Sequence, residues 1–304
     1  KLEGKGFFTK EIEEALLNGD TDIAVHSHKD LPTESPEGLM IAAVSPREDP
    51  SELLLIRKES VDTRKKFALK QNPIVGTSSA RRKAQMLAFR SDIELKDLRG
   101  NVPTRINKLR EGQYDAILLA AAGVERLEID LKEFYVERLG PKEFTPAPAQ
   151  GVLAIQIRKG EKELFDLLQK INDKTVQVTI GIERKVLNLF QGGCQMPVGA
   201  YAEYDDETEM YSVRVSKAAA WDTKPVSVYS ESKDPSVLAQ RVVDKIHAVK
   251  PATVFITRED RRDDYLRAVL TGNGFRYSGK AMIETTLIPF RVMPDCDWVF
   301  FSSK

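Results

Sequence analysis

Two stretches of this chain share one plan for gripping an anion. In Gly76-Thr77-Ser78-Ser79-Ala80-Arg81-Arg82 an apolar run ends, three hydroxyl residues follow, and a helical pattern begins. Free N–H groups and the dipole at a helix start attract negative charge. The hydroxyls add donors, and the Arg81 and Arg82 guanidiniums match a carboxylate or phosphate in shape. An ordinary capped helix with two solvated arginines would read the same way. Leu98-Arg99-Gly100-Asn101-Val102-Pro103-Thr104-Arg105 repeats the polarity: Arg99 closes a strand, Gly100 turns the chain, and Arg105 falls in the first turns of the next helix. One such turn needs no ligand; two together suggest an anionic ligand between them.

Val25-His26-Ser27-His28-Lys29-Asp30 delivers polar groups to the end of a strand. Asp30 there could act as a general acid or stabilise a developing cation. His26 and His28 alternate in the manner of metal ligands, but no acidic or cysteine partner has the spacing for a site, so His26 reads better as a structural imidazole and no metal is expected. Cys194, in Gly192-Gly193-Cys194-Gln195-Met196-Pro197, is either an accessible nucleophile or a small buried residue in a turn. Gly4-Lys5-Gly6-Phe7-Phe8 lacks phosphate-loop spacing; with Lys1 it could form an anion-attracting loop, or simply lead into a helix.

The elements that must position these residues alternate short apolar strands with amphipathic helices, the pattern of an α/β protein. Helices are predicted over Glu11–Asn18, Ser79–Phe89, Thr104–Arg110, Glu161–Ile171, Val176–Phe190 and Pro235–Val249. Strands are predicted over Asp22–His26, Leu39–Val44, Leu53–Ile56, Pro73–Gly76, Ile93–Leu98, Tyr114–Ala120, Val152–Ile157, Val198–Glu203, Tyr211–Lys217 and Val226–Ser230. The Tyr114–Ala120 strand is read as running straight into a turn at Gly123, and Phe144–Pro148 as extended. After Pro251 a new β-α-β pattern begins, with strands at Thr253–Thr257, near Gly274–Tyr277 and at Asp297–Phe301 around a helix at Asp260–Thr271.

Composition narrows the class. The 304 residues carry 46 Lys+Arg against 46 Asp+Glu, so the formal charge is zero and bulk nucleic-acid binding is not expected. Two cysteines, Cys194 and Cys296, make no disulfide framework and fit a reducing, cytoplasmic setting. No apolar run approaches the roughly 20 residues that span a bilayer. The chain opens on Lys1 and stops at Lys304 just beyond an apolar run, which reads as a segment of a longer protein.

Taken in order, these motifs resemble hydroxymethylbilane synthase (porphobilinogen deaminase), from Lys1 to about Lys250. The carriers are Gly4-Lys5-Gly6-Phe7-Phe8-Thr9-Lys10-Glu11, His26-Ser27-His28-Lys29-Asp30, Gly76 through Arg82, Leu98-Arg99-Gly100-Asn101 and Gly192-Gly193-Cys194-Gln195. The resemblance implies two domains of the type II periplasmic-binding-protein fold, residues 1–50 with 150–170 and residues 53–145, and a small α+β domain over 172–249. It implies a dipyrromethane cofactor in thioether linkage to Cys194 and a catalytic aspartate at Asp30. Cofactor contacts fall on Lys29, Thr77, Ser78, Ser79, Arg81, Arg82, Arg99, Gly100, Asn101 and Arg105; contacts to the substrate porphobilinogen fall on Lys5, Arg126 and Gln150. A monomer is expected. Porphobilinogen carries an acetate and a propionate, so a growing chain of four is a polyanion, and clustered guanidiniums suit it. Loss of ammonia leaves a cation that a carboxylate can stabilise.

This sequence departs from the family in three places. The family's N-terminal Arg-Gly/Gln-Ser motif, which supplies a first strand, a helix and an active-site arginine, is missing from this sequence, the usual Met between Ser27 and Lys29 is His28, and the usual Gly before Gln150-Gly151 is Ala149. Residues 252–304 resemble the start of uroporphyrinogen-III synthase, through Thr253-Val254-Phe255-Ile256-Thr257-Arg258, Gly274-Phe275 and Asp297-Trp298-Val299-Phe300-Phe301, which would make a partial α/β segment and point to a fusion of two consecutive enzymes. The main rival is a non-enzymatic anion-binding module of the same fold, which explains the arginine turns but neither Cys194 nor Asp30.

Overall fold

A computed structural model of the chain describes residues 6–191, 196–248, 253–256 and 276–279. Lys5, the Cys194 loop, the expected helix Asp260–Thr271 and the expected strand Asp297–Phe301 lie outside the described residues. Residues 1–249 form one compact unit and residues 250–304 another.

The first unit opens with helix α1 (Gly6–Asn18), five residues longer at its start than the periodicity indicated. It ends where Gly19 takes φ +81°. Strands β1 (Ala24–Ser27) and β2 (Leu39–Val44) flank β8 (Leu153–Arg158), both antiparallel to it. The central strand of this sheet therefore comes from a segment more than a hundred residues downstream.

Between them the chain builds a five-stranded sheet from β3 (Glu52–Arg57), β4 (Ile74–Gly76), β5 (Glu94–Lys96), β6 (Ala116–Ala120) and β7 (Phe134–Leu139). Its order is β5-β4-β6-β3-β7. β4 runs parallel to β5 and β6, while β3 runs antiparallel to β6 and β7. One antiparallel strand, arriving from the neighbouring sheet and inserted beside the third parallel strand, gives the α/β arrangement of a type II periplasmic-binding-protein domain. Helices α2 (Ala80–Phe89), α3 (Val102–Arg110) and α4 (Ala121–Glu125) follow β4, β5 and β6. The core divides into one layer around Leu54, Ile56, Met86 and Phe144 and another around Leu55, Ile106, Leu109 and Ile117.

Two elements here differ from the sequence reading. The expected turn at Gly123 is the interior of α4, because Ala121, Ala122 and Val124 are small enough to bury directly beyond β6. β7 was not expected at all: it is an edge strand whose Tyr135 and Val136 are 36% and 39% exposed, so it lacks the alternation that marks a half-buried strand.

Helices α5 (Lys162–Leu168) and α6 (Lys174–Leu189) follow β8. Asp173 caps α6 by accepting from Val176 N at 2.9 Å. A third sheet, β9 (Val198–Asp205), β10 (Met210–Lys217) and β11 (Val226–Ser232), is an antiparallel meander covered by α6 and α7 (Leu238–Ala248). The second unit contains β12 (Thr253–Ile256) and β13 (Arg276–Gly279), paired in parallel.

The first two sheets are joined by two crossings, residues 45–51 and 140–152, which run side by side. Glu48 N donates to Gly151 O at 2.9 Å, and Gln150 Nε2 donates to Pro50 O at 2.8 Å. Glu183 of α6, fully buried, locks both crossings to the third sheet. It takes Arg47 in a bidentate pair at 2.6 and 3.3 Å and accepts Ala149 N at 2.6 Å and Ala202 N at 2.7 Å. Gly151 sits in this junction at φ +88°, with the Glu48 carbonyl where a Cβ would stand; Gly160, at φ +95°, has open space there. Gly160→Ala should cost about 1 kcal/mol from its backbone conformation alone, and Gly151→Ala well over ~2 kcal/mol because the crossings must also separate. Urea denaturation compares the two; equal losses would show that the close approach at Gly151 does not matter.

Candidate active site

Thr77, Ser78, Ser79, Arg81, Arg82, Arg99, Gly100 and Asn101 collect at one side of the five-stranded sheet. The parallel strands β4, β5 and β6 end there, and the antiparallel β3 begins there, which is where α/β sheets place their ligands. Glu52 is the first residue of β3 and is fully buried. Arg81 Nη2 meets its Oε1 at 2.7 Å and Arg82 Nη2 its Oε2 at 2.5 Å. Arg81 also donates to Thr145 O at 2.9 Å and Arg82 to Leu118 O at 3.0 Å. Both arginines are at least nine-tenths buried, so they are not the solvated pair that a capped helix alone would present.

The hydroxyls of this turn also hold the backbone in place. Ser79 caps α2, accepting from Arg82 N at 3.5 Å, and Thr77 Oγ1 accepts from Ser79 N at 3.2 Å. Ser78 Oγ donates to Leu98 O and accepts from Leu98 N, both at 3.0 Å, which ties the first arginine turn to the second. In that second turn Asn101 caps α3 through Thr104 N at 2.9 Å, and Gly100 takes φ +122°. The Gly100 carbonyl accepts Arg105 Nε at 2.7 Å, and the exposed Arg99 lends its carbonyl to Lys108 at 3.0 Å.

Lys29 and Asp30 reach the site from a single 3₁₀ turn, His28–Asp30, directly after β1 rather than on the strand itself. Lys29 Nζ lies 3.5 Å from Gln150 Oε1. Burial, and then the field of Arg82, lowers the Lys29 ammonium to about 8, against the opposing pull of Asp30 and Glu52. Arg105 is lowered by burial and by Arg82, while Asp30 raises it, which puts Asp30 within electrostatic reach of both Arg105 and Lys29. Burial by itself would raise the Glu52 carboxyl; Arg82 and Arg81 outweigh it and hold the group down at about 2.

Three cationic side chains, Lys29, Arg81 and Arg82, thus surround one buried carboxylate, with Arg105 beyond them. The cluster keeps a positive surplus, and Arg82 Nε is buried without a hydrogen-bond partner among the described residues. A ligand rich in carboxylates fits that surplus. Arg126 stands apart from this core: it pairs with Glu48 of the first crossing at 3.0 Å. His26 is structural, as its position suggested, with Nε2 3.0 Å from Gln156 Oε1.

Sequence reasoning missed Glu52, Arg47, Glu183 and Arg184. A charged residue opening the apolar run Glu52-Leu53-Leu54-Leu55-Ile56 was the one available signal for Glu52. The other three meet partners more than a hundred residues away, which local spacing cannot show.

An α/β sheet protein with a buried cationic cluster at its strand ends is the class these features define. Two family models match the chain: porphobilinogen deaminase, dipyromethane cofactor binding domain, over residues 1–166, and porphobilinogen deaminase, C-terminal domain, over residues 177–246. A porphobilinogen deaminase of Oceanobacillus iheyensis is 40% identical over 81% of this chain and 81% of its own length. One of Bacillus velezensis is 42% identical over 79% and 75%, and one of Brevibacillus brevis 46% identical over 69% and 66%. Among solved structures, a periplasmic binding protein of Salmonella typhimurium with arginine specificity aligns at 15% identity and a TM-score of 0.31, over 54% of this chain and 70% of that one. The chain belongs to the porphobilinogen deaminase family. Its chemistry is that of a transferase, a hydroxymethylbilane synthase, with dipyrromethane as the cofactor.

Glu52 should be what makes the cluster possible. Its folded-state pKa lies below the ordinary value, so its stabilisation is present in full above about 4.5 and is lost as pH falls toward 2. Glu52→Gln should cost ~3–5 kcal/mol at neutral pH, because it leaves buried guanidiniums uncompensated, and should remove that acid-range dependence. Urea titrations between pH 2 and 7 measure both; a variant as stable as the parent at pH 7 would overturn the role.

Proposed function

We propose that this chain condenses porphobilinogen units head to tail at Asp30, on a primer carried by Cys194. The observation that carries the reading is the cationic surplus of Lys29, Arg81, Arg82 and Arg105 gathered beside Asp30 at the strand ends. When bound, dipyrromethane would supply the pyrrole α-carbon to which each unit is added. Lys29, Arg81, Arg82, Arg99 and Arg105 would neutralise the acetates and propionates of the growing chain. Thr77, Ser78, Ser79, Gly100 and Asn101 hold the two arginine turns and offer hydroxyl and backbone donors. Lys5, Arg126 and Gln150 would receive the incoming substrate. Asp30 sits among cations without being buried, so its carboxylate can face a pyrrole nitrogen, stabilise positive charge there when ammonia leaves, and exchange a proton with it. The three sheets of residues 1–249 would correspond to three domains, and the protein would work as a cytoplasmic monomer.

Mass spectrometry and steady-state kinetics test this together. Cys194→Ser should lose the covalent adduct entirely. Asp30→Asn should keep the adduct but lose about 10²-fold or more in kcat, with KM changed by only a few-fold. An adduct that persists on Cys194→Ser, or maps to Cys296, would refute the attachment; a near-normal kcat for Asp30→Asn would refute the catalytic role.

The parallel pair β12–β13, in a unit of its own after α7 closes the third sheet, supports a second reading: a fused uroporphyrinogen-III synthase-like domain. The complete gene product should then turn porphobilinogen into the type III uroporphyrinogen isomer. Unaided ring closure gives type I, so chromatographic finding of type I alone from intact protein would exclude the fusion.

A further inference from the structure

The Asp30 turn is a single 3₁₀ turn, His28–Asp30. Leu31 N donates to His28 O at 3.3 Å, and His28 N donates to Val152 O at 2.9 Å. Three carbonyls at the start of the turn and just after it converge on one side chain from a different part of the fold. Arg184 of α6 donates through Nη1 to His28 O at 3.1 Å and to Leu31 O at 3.5 Å, and through Nη2 to Pro32 O. These three carbonyls bracket Lys29 and Asp30. One turn further along α6, Asn188 Nδ2 reaches Glu34 Oε1 at 3.4 Å, so the same helix face follows the chain out of the turn.

Helix α6 is also the element that leads to the cysteine. Its last residue, Leu189, precedes Cys194 by five positions. Glu183, the residue before Arg184, fixes α6 to both crossings through Arg47 and Ala149. A planar guanidinium can serve several carbonyls at fixed angles, which a flexible ammonium cannot do.

We propose that Arg184 is a positioning residue for Asp30: it holds the aspartate turn against α6, the helix that Glu183 fixes to both crossings. This inference rests on the catalytic reading of Asp30. A small misplacement of a reacting group costs up to about 10²-fold in rate without loss of binding.

The test is a double-mutant cycle in the full chain, with adduct mass, thermal midpoint, kcat and KM read for each variant. Arg184→Met should retain the adduct, keep KM within about threefold and lower kcat by about 10–100-fold. In an Asp30→Asn background the same change should cost about twofold or less, because the group it positions is already gone. Arg184→Lys should recover part of kcat, and it enters the same cycle if Arg184→Met fails to fold. An equal loss in both backgrounds would overturn the positioning role and leave Asp30 untouched. So would a loss confined to KM or to the adduct. A near-normal kcat for Asp30→Asn alone would instead remove the reading beneath it.

Discussion

The Glu52 carboxylate is out of contact with water, and each of its oxygens takes one guanidinium. Without it, Arg81 and Arg82 would be buried as uncompensated cations, at a cost of several kcal/mol. With it, the two arginines become fixed parts of the sheet: one reaches Thr145 O and the other Leu118 O. Gln85 closes the arrangement by donating to the same Thr145 carbonyl at 2.9 Å while accepting Thr145 N at 2.7 Å. A preformed cationic wall needs no reorganisation when an anion arrives, which is the condition under which fixed charges are most useful to a reaction.

Thr145 carries that constraint onward. It belongs to the second crossing, and the third sheet docks beside it: Ala200 N donates to Pro146 O at 3.1 Å, and a Cβ on Gly199 would come within 2.7 Å of Thr145 O. The arginine wall, the crossing and β9 are therefore in sequential contact, and Glu183 closes the loop from the opposite side by tying Arg47, Ala149 and Ala202 to α6. Such a junction resists independent movement of the sheets more than a single surface ion pair would, because each charge is buried and each has several partners.

The sequence shows some of this plainly. Strand and helix periodicity gave nearly every element of residues 1–249, and the Gly100 turn and the Ser79 cap were legible because each depends on neighbours within a few positions. The gathering of Arg81, Arg82, Arg105 and Asp30 at one place followed from the family motifs. What stayed hidden depends on contacts across the fold. Nothing near Glu183 marks it as the hub of a junction, since its partners Arg47, Ala149 and Ala202 come from three distant segments. β7 was invisible because an exposed edge strand has no apolar alternation to read, and the Gly123 turn failed because a small-residue run can bury as helix as readily as it can turn.

Net charge conceals the site altogether. Equal numbers of acidic and basic residues would suggest a surface with no preference, yet the interior holds more cations than carboxylates around Glu52. Lys29 registers that imbalance most directly, since burial and Arg82 have already brought it to about 8. An anion placed against this cluster supplies the charge that Glu52 alone cannot, and so it draws the Lys29 pKa back upward. Near pH 8 such binding takes up protons, and its strength falls as pH rises further and the free site loses the ammonium. The lowered lysine and the guanidiniums gathered round Glu52 are thus two signs of one condition: buried positive charge that a single carboxylate does not balance.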